Sequence, residues 1–340
     1  MQISIIIPTR NRAEEVEIAI DSIFKQTSFS RINEIIIVDQ STNSKTKEVV
    51  DKLNQTLNSL PIQYVKLKKI PSLTISRNFG VKYATGDIIL FLDDDVILYP
   101  DYVERLLDIY ENFRDVVGVG GDVVKGESDS EIKVLKMLHE LFNMINGKIF
   151  FLGRNEKNRM RILPSGSNTY PYEKLDKIIP AEWLGGCSCS YKREIFEEFK
   201  FDEKLRRWCW KEDVDFSYRV YKKYPGKLFI TPYAKLIHNE SEKMKLESKK
   251  KIYMIEVYTL YFFYKNILLE SRSRFDSLKK YSLYAWSRVG QLFKRLVFIA
   301  VRPKKEKIIE FEYMIRALIY AFDNRDKIKK GDLEFFNKTL

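Results

Sequence analysis

Cysteine is scarce in this sequence of 340 residues, which contains Cys187, Cys189 and Cys209. This odd and sparse set argues against a disulfide scaffold, and its spacing matches no usual zinc pattern. The N-terminal apolar run has at most five residues before Pro8, which is too short for a signal peptide. We therefore expect a reducing, cytoplasmic setting.

Long apolar runs are also missing. The stretches MIEVYTLYFFY and RLVFIAV are both well short of the ~20 apolar residues that a membrane-spanning helix needs. In SRVGQLFKRLVFIAV, a helical pattern places Arg288, Lys294 and Arg295 largely opposite one apolar stripe. The stripe consists of Val289, Leu292, Phe293, Leu296, Val297 and Ala300. If this region meets a membrane, we expect it to lie on the surface, peripheral to the inner face of the cell membrane.

Positive charge in excess is confined to one segment. The chain carries a net charge of +12, and residues 243–307 alone contain 17 basic and 5 acidic residues. A basic segment with interleaved aromatic residues suits anionic lipid headgroups, so an anionic membrane surface is one predicted partner. The alternative is a helical subdomain that packs on the rest of the chain or forms a homodimer, with its lysines solvated.

The first 125 residues alternate short β-rich runs with helical patterns. Strands are predicted at 3–7, 34–39, 62–67, 88–92 and 116–121, with helical patterns near 16–23, 44–57, 76–86 and 101–113. We expect Asn11 to cap the first helix. Buried strands that alternate with helices predict an α/β fold, a Rossmann-like and mostly parallel sheet with helices on both faces. The patterns weaken between about 126 and 180 and then return.

An acidic triplet follows the fourth predicted strand in GDIILFLDDDVIL. Ligands collect at the C-terminal ends of parallel strands, and alternation along a strand would point Asp93 and Asp95 one way and Asp94 another, unless the chain turns there. Such a pair of carboxylates can share Mg²⁺ or Mn²⁺, leaving coordination sites for a diphosphate. The alternative is a solvated acidic turn. Because adjacent buried carboxylates repel, we expect a positive group nearby.

The stretches SIIIPTRNR, IIIVDQST, SRNFGVKYATGDIILFLDDDV and WKEDVDFSYR occur in this order, and together they resemble glycosyltransferase family 2. The resemblance covers roughly residues 1–240. It implies the GT-A fold, inverting transfer from a nucleotide-sugar donor, and a glycan or polyprenyl-linked acceptor. We accordingly predict a catalytic domain at 1–240, with a nucleotide-binding half at 1–125 and an acceptor half at 126–240. A basic, aromatic, mainly α-helical region is predicted at 241–340.

The resemblance also implies a nucleotide site near the first two strands. Pro8, Thr9 and Arg10 would lie against the nucleotide, and Asp39 would accept a hydrogen bond from the base. The alternatives are that Arg10, like Arg12, is a surface charge, that Asp39 caps a turn, and that Pro8 only ends its strand.

The diphosphate and the metal would lie beside the acidic triplet. The resemblance implies that Arg77 and Asn78 border the diphosphate pocket and that Asp93, Asp94 and Asp95 form the family's DxD element. Asp95 is the strongest candidate for a direct metal ligand, with Asp93 beside it.

A general base is expected in WCWKEDVDFSYR, because the attacking hydroxyl must lose a proton. The family's ED pair points to Asp213, with Glu212 and Asp215 as nearby alternatives that hold acceptor hydroxyls or the start of the helix. Ordinary acidic capping is the alternative for all of them.

The donor sugar and the acceptor would be enclosed by a second segment. Trp183, Gly185 and Gly186 resemble the family segment that walls this site, and Trp210 is a further candidate for stacking on a sugar. Core packing is the alternative for the tryptophans.

Two histidines occur in the sequence. His238 ends a strand-like run, and several family members place a metal-binding histidine there; a structural role is the alternative. His139 lies in a helical pattern and is expected to be structural.

One departure affects the choice of donor. The second carboxylate that often follows the aspartate of the second strand is Gln40 here, so the base is left open, with a preference for UDP. A nucleotidyltransferase is the rival enzyme class, although PTRNRAEEVE lacks the glycine of a phosphate loop. A basic nucleic-acid-binding protein is the rival from another class, but the charge is confined to one segment and no nucleic-acid partner is expected.

Overall fold

A computed structural model describes residues 1–56, 60–124, 142–143, 145–153, 159–171, 174–207, 209–239 and 247–340. The contacts within the chain divide it into two compact units. The first contains residues 1–127, 175–208 and 212–245, and the second contains 128–174, 209–211 and 246–340. The sequence placed 126–180 with the catalytic domain, whereas this grouping assigns part of it to the unit of the C-terminal helices. A domain boundary at 240 stays a prediction.

One sheet forms the centre of the first unit. Its strands are β1 (Ile3–Thr9), β2 (Ile32–Asp39), β3 (Ile62–Lys66), β4 (Ile88–Leu92), β5 (Val96–Leu98), β6 (Gly118–Val124), β7 (Ile179–Pro180), β8 (Ser188–Lys192) and β9 (Leu228–His238). The spatial order is β3-β2-β1-β4-β8-β6-β9-β5, and β7 pairs with β9.

The pairing within this sheet is mixed. Strands β3, β2, β1 and β4 are mutually parallel, as the alternation of strand and helix predicts. Strand β8 then runs antiparallel to both β4 and β6, and β5 runs antiparallel to β9. The predicted parallel pairing is therefore found among the first four of these strands and again between β6 and β9, whereas β5, β7 and β8 run antiparallel to their neighbours.

Helices of the first unit connect these strands. They are α1 (Ala13–Phe24), α2 (Lys45–Thr56), α3 (Leu73–Val81), α4 (Tyr102–Asn112), α5 (Ile195–Glu198) and α6 (Glu212–Lys223), with a 3₁₀ turn at Phe29–Arg31. Every residue of β1 and β4 is buried, in keeping with a sequence that is wholly apolar in β4 and mainly apolar in β1. Helix α1 buries the face that contains Val16, Ala19, Ile20 and Ile23.

The predicted cap of α1 is wrong. Arg12 occupies the N-cap position, while Asn11 lies one residue earlier with φ +56°. The Asn11 side chain instead accepts a hydrogen bond from the Thr42 N–H at 2.9 Å. A short polar side chain tolerates this left-handed conformation, and here it joins the loop after β1 to the loop after β2.

Helices make up most of the second unit. They are α7 (Ser248–Phe263), continued by a π-helical turn at Tyr264–Leu268, α8 (Arg274–Val301), α9 (Lys305–Asp323), α10 (Arg325–Lys329) and α11 (Glu334–Asn337). Ser273 caps α8 by accepting from the Asp276 N–H at 3.1 Å. Ile252, Met314 and Ala317 form a buried cluster between α7 and α9. Among the described helices, none is both long enough and apolar enough to cross a bilayer.

Candidate active site

The acidic triplet lies where β4 ends and the chain turns into β5. Strand β4 stops at Leu92, residues 94 and 95 form a turn, and β5 begins at Val96. Because β5 pairs antiparallel with β9, Val96 lies opposite His238. The Asn239 N–H donates to the Asp95 carbonyl at 2.9 Å and extends this pairing. The sheet thus brings a histidine 143 residues away to the acidic turn.

Asp93, Asp95 and His238 form a potential metal-binding cluster. One ligand atom from each side chain lies within 4.8 Å of the others, and His238 Nε2 is 3.0 Å from Asp95 Oδ1. Two carboxylates and one imidazole are a donor set that suits Mg²⁺ or Mn²⁺. Asp93 and Asp95 share this cluster, but residues 94 and 95 form a turn, so the alternation of a strand does not continue through the triplet.

Asp94 anchors the loop that follows β1. Its carboxylate accepts hydrogen bonds from Thr9 Oγ1 at 2.7 Å and from Arg12 at 2.8 Å, and Arg12 also reaches Asp95 at 3.2 Å. Burial raises the pKa of Asp94 to about 7, although Arg12 and Thr9 act in the opposite direction. Arg12 is therefore one of the positive groups that the acidic triplet requires, and the interpretation of Arg12 as a plain surface charge is wrong.

Arg77 supplies a second positive charge to the acidic triplet. Its guanidinium, which is fully buried, donates to Asp93 and to Glu212 at 3.3 Å each and to the Gly186 carbonyl at 2.8 Å. Burial favours a lower pKa for Arg77, but the carboxylates of Asp93 and Glu212 outweigh it and raise the pKa. Arg77 thus joins the end of β4 to the start of α6.

At the start of α6, the two acids of the ED pair, Glu212 and Asp213, have different partners. Asp213 accepts hydrogen bonds from the Gly186 N–H at 2.8 Å and from the Val214 N–H at 2.7 Å, which fix its carboxylate. Glu212 is buried against Arg77, and burial together with neighbouring Asp213 raises its pKa. A Cβ on Gly186 would lie only 3.1 Å from Arg77 Nη2, so this position favours glycine.

A cleft opens beside the triplet at the C-terminal ends of β1 and β4. It is lined by Pro8, Thr9, Arg10, Arg12, Gln40, Pro71, Ser72, Leu73, Ser76, Asp93, Asp94, Asp95 and Arg207. The structure therefore brings Pro8, Thr9 and Arg10 to the same cleft as the acidic residues. Burial and the neighbouring charge of Arg207 lower the pKa of Arg10, which means that two cations face this cleft together.

Arg207 was missed by the sequence interpretation because it lies outside every motif quoted. Its backbone pairs with Ser72, and its carbonyl accepts from the Leu73 N–H at 3.0 Å, which holds it at the start of α3. The adjacent pair of arginines just before the WCWKED segment was the available signal, but only the fold shows which cleft it meets.

Two residues predicted to contact the nucleotide have other surroundings in the structure. Asp39 is fully buried and accepts from Tyr64 at 2.7 Å and Lys66 at 3.0 Å. Asn78 binds the backbone of Phe201 and the Glu203 carboxylate. Their predicted contacts with the base and the diphosphate stay predictions.

The two tryptophans predicted to stack on a sugar also have other surroundings in the structure. Trp183 is only 2% exposed, as expected for a core residue. Trp210 belongs to the second unit, where its indole N–H donates to Thr259 Oγ1 at 3.2 Å. Gly185 is half-buried with open space around its Cα. Stacking on a sugar stays a prediction, and His139 lies outside the described residues.

The chain belongs to glycosyl transferase family 2, whose family model matches residues 4–179, more than half of the sequence. The solved structure of the mannosyltransferase PcManGT from Pyrobaculum calidifontis, in complex with GDP-Man and Mn²⁺, is similar over 94% of this chain and 87% of that chain. Its TM-score is 0.57 at 15% identity. The predicted family, its enzyme class and the GT-A fold are confirmed.

Two relatives illustrate the range of the family. MJ1057, an uncharacterised glycosyltransferase of Methanocaldococcus jannaschii, is 26% identical over 319 residues, which cover 90% of this chain and 95% of that protein. The glucosyl-dolichyl phosphate glucuronosyltransferase of Haloferax volcanii is 29% identical over 127 residues, 36% of this chain and 39% of that protein. The match spans 34% to 58% of the length of the first curated relatives.

Proposed function

We propose that this protein transfers a sugar from a nucleotide-diphosphate donor, with a preference for UDP, to a hydroxyl of a glycan or lipid-linked acceptor, with inversion at the anomeric carbon. The observation that carries the proposal is a cleft lined both by Asp93 and Asp95, which form a potential metal-binding cluster with His238, and by arginines at positions 10, 12 and 207. Family membership favours glycosyl transfer over nucleotidyl transfer and over nucleic-acid binding.

The donor would occupy the cleft at the ends of β1 and β4. Pro8 and Thr9 would contact the nucleotide, while Arg10 and Arg207 would face its phosphates. Two neighbouring guanidinium groups repel each other, and a diphosphate between them would offset that repulsion. Binding of the donor would therefore relieve the repulsion between Arg10 and Arg207.

A divalent cation, Mg²⁺ or Mn²⁺, would be held by Asp93, Asp95 and His238. When bound, it supplies positive charge that stabilises the departing diphosphate. Support comes from the donor set of the cluster and from the similar fold of PcManGT, which was solved with GDP-Man and Mn²⁺. Arg77 and Arg12 would keep these carboxylates oriented, since Arg77 donates to Asp93 and Arg12 donates to Asp95.

Asp213 would act as the general base. The acceptor hydroxyl attacks the anomeric carbon from the side opposite the leaving diphosphate, which inverts the configuration, and its proton passes to a carboxylate oxygen of Asp213. Hydrogen bonds from Gly186 and Val214 orient this carboxylate at the start of α6. Glu212, buried against Arg77, would position the loop rather than take the proton.

A lipid-linked acceptor is supported by the dolichyl phosphate named for the Haloferax volcanii relative. The sugar and the linkage are not specified by these residues.

A thermal-shift panel tests the proposal. UDP-, GDP- and dTDP-sugars are added to the whole protein with and without Mn²⁺, and one nucleotide series should raise Tm by about 5 °C at saturating ligand, with Mn²⁺ present. Asp95→Asn should abolish the Mn²⁺-dependent part. Asp108→Asn, which changes a half-exposed carboxylate on α4, serves as the control. If no nucleotide sugar changes Tm with either metal condition, the proposal is wrong.

A further inference from the structure

Helix α8 exposes apolar side chains along one face, where Phe150 covers part of Trp286 and Phe293 with ring centroids 4.9 and 5.7 Å apart. Side chains spaced three or four residues apart along it are all exposed: Phe275, Leu278, Ser282, Ala285, Trp286, Val289, Phe293, Leu296 and Ala300. Phe275 and Leu278 are 79% and 67% exposed, and Val289 and Leu296 are 48% and 49% exposed. Eight of these nine side chains are apolar, and the face extends about 38 Å along the helix. Such a face on a charged helix requires an explanation.

Basic side chains lie along α8 and at both of its ends. Helix α8 contains six Lys or Arg residues and one acidic residue, Asp276, which accepts a hydrogen bond from the Arg272 N–H and pairs with Lys280. Exposed cations precede or begin the helix at Arg272 and Arg274, and others follow it at Arg302 and Lys304. The exposed face itself carries no acidic side chain.

Helix α9 provides a contrast within the same unit. It also exposes apolar side chains, including Ile308 and Ile319, at 51% and 56%. It carries four acidic residues against three basic ones, however. Only α8, among the described helices of this unit, combines a long exposed apolar face with a strong positive excess.

We propose that the exposed face of α8 docks in the plane of an anionic lipid membrane. Apolar side chains would enter the boundary between headgroups and acyl chains, and the flanking arginines and lysines would contact the anionic headgroups. A second copy of the chain fits this face less well, because pairing two such helices would bring cations next to cations. The proposal goes beyond sugar transfer and does not depend on it.

Vesicle co-sedimentation of the full chain tests the docking. Vesicles of phosphatidylcholine with 30% phosphatidylglycerol are compared with vesicles of phosphatidylcholine alone, without nucleotide or acceptor. The Val289→Asp/Leu296→Asp variant places two carboxylates on the exposed face. Ile18→Asp, at a 49% exposed position on α1, is the matched control.

The wild-type protein and Ile18→Asp should sediment with anionic vesicles at least tenfold more strongly than with neutral ones. The double variant should lose at least tenfold in affinity for anionic vesicles while keeping its circular dichroism spectrum and its Mn²⁺-dependent response to donor. The Mn²⁺-dependent response to donor reports on the proposed function, and vesicle binding reports on the docking. Either proposal can therefore fail without the other.

Two results would overturn the docking. One is equal binding of the double variant and the wild type, or no binding of the wild type. The other is a concentration-dependent dimer in sedimentation velocity that the double variant abolishes while vesicle binding is absent, which would assign the face to a second copy.

Discussion

Arg77 holds together residues that lie far apart in the sequence. It contacts Asp93 and Glu212 from a fully buried position, with the Phe201 ring 5.3 Å from its guanidinium carbon. Removing this charge leaves the carboxylates of Asp93 and Glu212 without the cation that they share, and Glu212 is buried. Such an uncompensated buried charge is costly, whereas an exposed charge is not.

We therefore predict that Arg77→Met lowers the free energy of unfolding by about 3–5 kcal/mol, measured by urea denaturation at pH 7. Arg77→Lys should recover part of the loss, because it restores the charge but not the forked geometry. Arg114→Met removes a charge that is 95% exposed and should change stability by less than about 0.5 kcal/mol. Equal stabilities for the Arg77 and Arg114 variants would contradict this description of the cleft.

The second prediction at the scale of residues concerns Asp213. Asp213→Asn keeps the shape of the side chain but removes the proton acceptor, so the rate of transfer should fall about 10²–10⁴-fold. The donor affinity, measured by calorimetry with Mn²⁺, should change less than threefold, since Asp213 is not among the residues that line the cleft. Wild-type turnover in Asp213→Asn, with Asp215→Asn inactive, would transfer the role of the base to Asp215.

Individual residues differ in how far the sequence predicts them. The resemblance to the family was enough to select Asp93, Asp95 and His238, and the structure brings these three together. The burial of Arg77 and the place of Arg207 follow from contacts between segments more than 100 residues apart. No local pattern encodes such contacts.

At the scale of elements, Glu34 of β2 links strand β1 to the segment just before β4. This buried carboxylate accepts hydrogen bonds from Ser4 Oγ of β1 and from the backbone N–H and the hydroxyl of Thr85, just before β4. Burial favours a higher pKa for Glu34, but the hydrogen bonds from Ser4 and Thr85 outweigh it and lower the pKa below its ordinary value of 4.5.

A lowered pKa means that the ionised form stabilises the fold above pH 4.5, and this stabilisation disappears as the pH falls through the folded-state pKa. We predict that Glu34→Gln lowers the free energy of unfolding by about 1–3 kcal/mol at pH 7. The difference from the wild type should shrink below pH 4. Glu198→Gln, at a side chain that is 51% exposed, should have little effect at either pH. A difference that is independent of pH would contradict the assignment.

Elements with local sequence signals were predicted well, and those that depend on distant pairing were not. The first four parallel strands and helices α1, α2 and α4 follow from apolar runs and helical periodicity, whereas α3 begins and ends several residues before the predicted 76–86. Strand β5 has only three residues, and its partner β9 is 140 residues further along the chain, so nothing nearby identifies it. The antiparallel course of β8 likewise depends on its insertion between β4 and β6.

At the scale of the whole molecule, the uneven distribution of charge was visible in the sequence, whereas the exposed face of α8 was only partly visible. The predicted stripe included Leu292, but Leu292 packs against the cluster around Met314. The exposed stripe is therefore rotated toward Trp286 and Phe275. Periodicity shows that a helix is amphipathic, but neighbouring helices decide which part of the stripe is covered.

If the docking of α8 depends on anionic headgroups, it must weaken as salt screens them. Raising NaCl from 50 to 300 mM shortens the screening length below about 10 Å and should lower binding to anionic vesicles at least tenfold. The Arg302→Gln/Lys304→Gln variant should show a shallower dependence on salt. Binding that is constant across this range would show that charge plays no part.

The claim on which the enzyme's chemistry rests is that one divalent ion is held by Asp93, Asp95 and His238. Its most direct measurement is an anomalous difference map, collected at the manganese edge, from crystals of the full chain soaked with Mn²⁺ and a nucleoside diphosphate. The account predicts one peak about 2 Å from a ligand atom of each of the three side chains. A map in which these side chains have no peak between them, although the nucleotide occupies the cleft, would contradict it.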